Sequence, residues 1–192
     1  MTGGVLVVGY GNVLRTDDGL GWHAADLLAD DPRLAGATVI RCHQLMPELA
    51  LDISTAALVV LVDASHALPA GTFTVTQVER ASDAGTTWSH HLSPPSLVAL
   101  AHELYGRAPE VFVVSAGVES LELGDRLSPV VEAELPRVVD AVADLVASRA
   151  AMPGADPAAE SAVPAVTPDD PVVGPAVPAV TAADPAAERT HA

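Results

Sequence analysis

Apolar and polar positions along the first 150 residues alternate between two periods, one of strands and one of helices. Residues 5–8 form a short β-branched run closed by Gly9, the pattern of a buried strand. Over 20–28 apolar residues return at helical spacing, with Asp17 or Asp18 available as N-cap and Pro32 just beyond. Residues 38–42 read as a second strand, 46–53 as a short helix, and 57–62 as the most hydrophobic strand, followed at once by Asp63. Residues 73–78 alternate as an edge strand or half a hairpin would, and the Gly/Ser/Thr-rich stretch 81–89 reads as a loop. Pro94 and Pro95 can open a helix over 96–105. Residues 111–114 read as the last strand. Ser128-Pro129 starts a closing amphipathic helix to about 148, with Val131, Leu135, Val138, Val139, Val142 and Leu145 on one side.

Strands interleaved with helices predict an α/β fold, a three-layer α/β/α sandwich around a mostly parallel, twisted sheet of about five strands. Composition narrows the core: 49% hydrophobic but only 3% aromatic residues leave Val, Leu, Ala and Ile to fill it. One domain is expected over 1–150. Over 151–192 the residues shift to Ala, Pro, Val, Thr and Asp, with a degenerate repeat at 164–171 and 178–185. Prolines at that density remove backbone donors, so this tail is expected to be disordered or polyproline-like.

Charge removes one class of partner. With 25 acidic and 9 basic residues, a net charge of -16 and no lysine, the chain lacks the basic cluster that nucleic acid requires. A single cysteine, Cys42, cannot form an internal disulfide and reads as core filler in a strand. Neither a signal-peptide pattern nor an apolar run of about 20 residues is found, so a soluble, cytoplasmic, monomeric protein without a membrane partner is expected.

The order strand, Gly9-Tyr10-Gly11-Asn12, helix resembles a dinucleotide fingerprint, which would make the chain a nucleotide-binding α/β protein. Leu14 occupies the third glycine position, however, and Asp17 and Asp18 stand where a phosphate would need positive charge. Asp18 and Asp63 both follow strands, in the direction that delivers them to the carboxyl edge of a parallel sheet, where ligands bind. His90 and His91 lie in a loop that could close over the same place. Two carboxylates and an imidazole suit a borderline divalent metal, while ordinary capping and a surface histidine pair account for the same residues without one. No Gly-x-Ser-x-Gly elbow is present, so acyl-enzyme chemistry is not indicated.

Residues 7–21, Val-Val-Gly-Tyr-Gly-Asn-Val-Leu-Arg-Thr-Asp-Asp-Gly-Leu-Gly, resemble the N-terminal signature of the nickel-iron hydrogenase maturation endopeptidases. Residues 58–64, ending in Asp63-Ala64, are similar to that family's strand with a terminal Asp-Ala pair. Ser89-His90-His91-Leu92 is similar to its histidine block, and 119–124 with 127–129 to the segment before its last helix. The resemblance covers about 4–146. It implies a peptidase that removes the C-terminal extension of a hydrogenase large-subunit precursor. Asp18, Asp63 and His90 would contact nickel, with His91 as the alternative, and Asp18 and Asp63 would be catalytic. It also implies that nickel arrives bound to the substrate and that no organic cofactor is tightly held. The segment 43–49 departs from the glycine-rich sequence of many members. A non-enzymatic nickel or precursor-binding chaperone of the same fold is the competing expectation.

Overall fold

The computed structural model describes residues 3–79 and 92–150. The chain divides into two units, Met1–Ala155 and Asp156–Ala192. The second lies wholly outside the described residues, and so does the expected disordered tail over 151–192.

Five strands form one sheet: β1 (Val5–Tyr10), β2 (Thr38–Cys42), β3 (Leu58–Ser65), β4 (Phe73–Gln77) and β5 (Glu110–Gly117). Their spatial order is β2-β1-β3-β5-β4, all parallel except β4, which pairs antiparallel with β5 at the edge. Four α-helices cover it: α1 (Leu20–Ala29), α2 (Leu49–Thr55), α3 (Pro94–Tyr105) and α4 (Pro129–Ala150).

The pleat sends alternate residues of each strand to opposite faces, and each face finds its own helix pair. Val7, Val60, Val62, Phe112 and Val114 pack with Leu20, Ala24 and Leu28 of α1 and with Val131, Val138 and Val142 of α4. Leu6, Val8, Val59, Leu61 and Val111 pack with Leu49 and Ile53 of α2 and with Leu97, Val98 and Ala101 of α3. These two apolar layers, fused through one sheet, make the expected α/β/α sandwich.

Several boundaries differ from the sequence reading: β1 runs to Tyr10 and β3 to Ser65, past the expected ends at Val8 and Val62. The helix expected from Met46 begins at Leu49, because Pro47 disfavours helical geometry in the residue before it and the chain first makes a tight turn, with Leu49 N–H donating to the Met46 carbonyl. The strand expected to stop at Val114 continues to Gly117, because Ser115, Ala116 and Gly117 go on pairing with Asp63, Ala64 and Ser65. Both β3 and β5 thus run on together toward the carboxyl edge of the sheet.

Close packing of α1 on the sheet depends on a pair of glycines. A side chain at Gly9 would collide with the Gly21 carbonyl, and one at Gly21 would collide with the carbonyls of Tyr10 and Val62. Gly9→Ala should therefore lower unfolding free energy by about 2–3 kcal/mol in urea titrations, whereas Gly4→Ala, which meets open space, should stay within about 0.5 kcal/mol of the parent.

Candidate active site

The strand order places β1 and β3 side by side, while the chain leaves β1 toward β2 on one side and β3 toward β4 and β5 on the other. That reversal opens a crevice beyond the carboxyl ends of β1 and β3, the usual ligand position in such sheets. Asp63 is in β3 at that edge, and Asp18 lies in the short 3₁₀ turn Thr16–Gly19 that follows β1. The two expected carboxylates converge there, near enough for the Asp18 charge to act on Asp63.

Asp63 has an unusual acidity. Burial is the main cause and raises its pKa; donors from Tyr10 and from the Ala64 backbone act to lower it, Asp18 adds to the rise, and the result is about 6. A carboxyl group that titrates close to neutrality can exchange a proton at working pH, which a general acid or base must do. None of the ion pairs among the described residues includes Asp18 or Asp63.

Asp17 does something the sequence did not announce. Instead of capping α1, whose N-cap is Gly19 with no side-chain bond, it is fully buried. Its Oδ2 accepts from the backbone N–H groups of Glu119 and Ser120 and from the Ser128 hydroxyl, each at 2.9 Å. Its Oδ1 accepts from the Ser128 N–H at 2.6 Å. Burial opposes ionisation, but these donors outweigh it and hold the carboxyl below the usual aspartate range. Asp18 does not cap α1 either, since its Oδ2 accepts the Asn12 N–H at 3.0 Å.

Neighbouring residues continue the seam. Thr16 N–H donates to the Gly124 carbonyl at 3.0 Å, Thr16 Oγ1 to the Ser120 carbonyl at 2.7 Å, and Arg15 Nε to the Leu121 carbonyl at 3.2 Å. Thr16 adopts φ 43°, which a β-branched residue enters only when its surroundings hold it there. The loop bearing Asp18 is thereby tied to the segment between β5 and α4.

The glycines of the opening motif serve the same close approach. Gly11, at φ 140°, would drive any side chain into the Asp18 carbonyl. Protein backbone fills the space a pyrophosphate would need, and the Asn12 donor is already taken by a carboxylate. Nucleotide binding at this turn is accordingly disfavoured.

Several solved structures with this architecture are described as hydrogenase maturation proteases. The NiFe hydrogenase maturation protease HycI of Thermococcus kodakarensis is 20% identical, with a TM-score of 0.61 over 75% of this chain and 92% of that one. The Escherichia coli hydrogenase maturating endopeptidase HybD is 22% identical, with a TM-score of 0.60 over 76% and 93%. A hydrogenase 2 maturation peptidase from a Thaumarchaeota archaeon is 25% identical, with a TM-score of 0.59 over 75% and 98%. The chain has the hydrogenase maturation protease fold. No family model and no curated protein matches it.

Within that fold, Asp18 and Asp63 lie toward the same edge of the sheet, and His90 and His91 lie outside the described residues. Among the described residues no group of three His, Cys, Asp or Glu is placed to hold a metal ion. The chain is described again from Leu92, which packs on the α2/α3 layer. Ser93 caps α3 by accepting the Ser96 N–H. Because α3 ends just before β5 begins, its first turn is directed toward the carboxyl edge. Cys42 is half-buried, and burial pushes its thiol pKa up, which makes it a poor nucleophile. Tyr10, which lies beside Asp63 and acts on its acidity, was not singled out by the sequence; its signal was the register that sets β1 beside β3.

Two stability measurements test these carboxyl groups. Asp17→Ala should cost about 3–5 kcal/mol by stranding several buried donors. Asp17→Asn should cost nearly as much, since either amide orientation turns an N–H toward donors. Because the folded pKa of Asp17 is depressed, its contribution is present above the ordinary value of 3.8 and is lost as pH falls below it, so the gap between parent and Asp17→Ala should narrow in acid. Asp63 has the opposite sign. Its folded pKa is raised, so the stability it gains by holding a proton is present below 3.8 and lost as pH rises to about 6. Asp63→Asn should therefore be more stable than the parent at pH 8 by about 1–3 kcal/mol, with the advantage vanishing near pH 3.

Proposed function

We propose that this chain is a hydrogenase maturation protease, an endopeptidase that removes the C-terminal extension of a nickel-loaded hydrogenase large-subunit precursor. What supports the reading is the fold itself together with Asp18 and Asp63 near the switch point of its sheet, where the charge of one bears on the acidity of the other. Two carboxyl groups with no cationic partner among the described residues repel one another, and an arriving divalent ion relieves that repulsion. A precursor that presents nickel brings the missing charge, and one without nickel does not. Binding is thereby linked to whether the metal has been loaded.

In this reading Asp18, Asp63 and His90, with His91 as the alternative to His90, contact the substrate's nickel. Borderline divalent ions accept such mixed oxygen and nitrogen donors. Asp63, with a pKa near neutrality, is suited to move a proton to or from water or the leaving amine, and Asp18 supplies the second negative oxygen. The inert thiol of Cys42 agrees with direct hydrolysis. No helix among the described residues is long and apolar enough to cross a membrane, and a cytoplasmic site of action fits a precursor processed during assembly.

The test is intact-mass spectrometry of a large-subunit precursor incubated with the protein. The loaded precursor should lose its extension and the metal-free precursor should not. Asp18→Ala, Asp63→Ala and His90→Ala should each slow removal at least about a hundredfold with melting temperatures retained. Full activity of Asp63→Ala would overturn the site, and tight binding of the loaded precursor without any cleavage would identify a chaperone instead.

A further inference from the structure

Asp63 has a neighbour that the reading above leaves without a role. Tyr10 ends β1, next to the registered pair Gly9 and Val62, so the following position on β3 is Asp63. Val62 belongs to the α1/α4 layer, and the pleat therefore turns Asp63 toward the α2/α3 side. Tyr10 packs on that same layer, so its phenol and the Asp63 carboxyl occupy neighbouring positions on one face of the sheet, and the acidity of each responds to the other. On its other flank Tyr10 pairs with Cys42 of β2, so its backbone belongs to a strand with a neighbour on each side.

We propose that Tyr10 is a positioning residue for the reaction: its hydroxyl donates to the Asp63 carboxylate and holds it in one orientation at the mouth of the crevice. The inference rests on the function proposed above and adds a residue to it. A phenol suits the task because it is a neutral donor. An arginine or lysine at the same place would orient the carboxylate equally well but would cancel the charge that an incoming cation needs. A phenol also keeps its proton across the working range, so it remains a donor.

Tyr10→Phe keeps the ring in its layer and removes only the hydroxyl. With nickel-loaded precursor, the maximal rate of extension removal should fall about 10- to 100-fold, the loss expected for one hydrogen bond to a charged group. The half-saturating precursor concentration should change by less than about threefold, and the melting temperature by less than about 2 °C. A wild-type rate would overturn the proposal, as would a loss of rate matched by an equal loss of affinity or stability. A second measurement does not need activity. The chain has two tyrosines, and Tyr105 is exposed, so ¹³Cζ-labelled tyrosine gives two distinguishable resonances. Asp63→Ala should move the Tyr10 signal and leave that of Tyr105 in place. An unmoved Tyr10 signal overturns the pairing, whereas a moved signal in a protein that cleaves nothing refutes the proposed function and leaves the pairing standing.

Discussion

The carboxyl edge is organised by one buried carboxylate. Asp17 accepts two hydrogen bonds from the backbone of residues 119–120 and two from Ser128, joining segments more than a hundred positions apart. A buried charge of this kind is tolerated only when its lone pairs are satisfied, and here backbone donors do most of that work. Asp18 is the next residue, so whatever fixes Asp17 also fixes the backbone that carries Asp18 toward Asp63. The seam extends through Thr16, whose positive φ is maintained by two hydrogen bonds of its own.

The tandem aspartates divide the labour between structure and chemistry. One is dry, saturated with donors and shifted toward permanent ionisation; the other borders the crevice and faces a carboxyl group whose acidity burial has weakened. Their environments, not their identities, separate these tasks. A similar division applies to the glycines of the opening motif. Gly9 and Gly21 let a helix lie against strand backbone, and Gly11 lets the chain fold back on the Asp18 carbonyl. What looked like a phosphate cradle is a close contact between protein segments.

Much of this was legible in the residues. The apolar runs named the five strands of the sheet, the helical spacing located the α1 and α4 faces, and the position of Asp18 and Asp63 toward the ends of strand segments pointed both to the carboxyl edge. Local pattern failed where distant partners decide the outcome. Nothing near Asp17 distinguishes an N-cap from a receptor for residues 119–128, because the donors that settle it come from the opposite end of the domain. Tyr10 reads as part of the glycine turn after a strand that ends at Val8, until the β1-β3 register sets it beside Asp63. The terminal residues of β5 escaped because Ser115 breaks the hydrophobic run while the ladder with β3 continues.

The seam also has a temporal side. During synthesis residues 16–18 emerge early, yet the groups that hold Asp17 belong to a stretch made more than a hundred residues later. Such long sequence separation slows folding, because a large loop must close before its contacts form. The segment that carries Asp18 therefore stays unset until nearly the whole domain has been translated, and a prematurely released fragment would be born without the seam that fixes it.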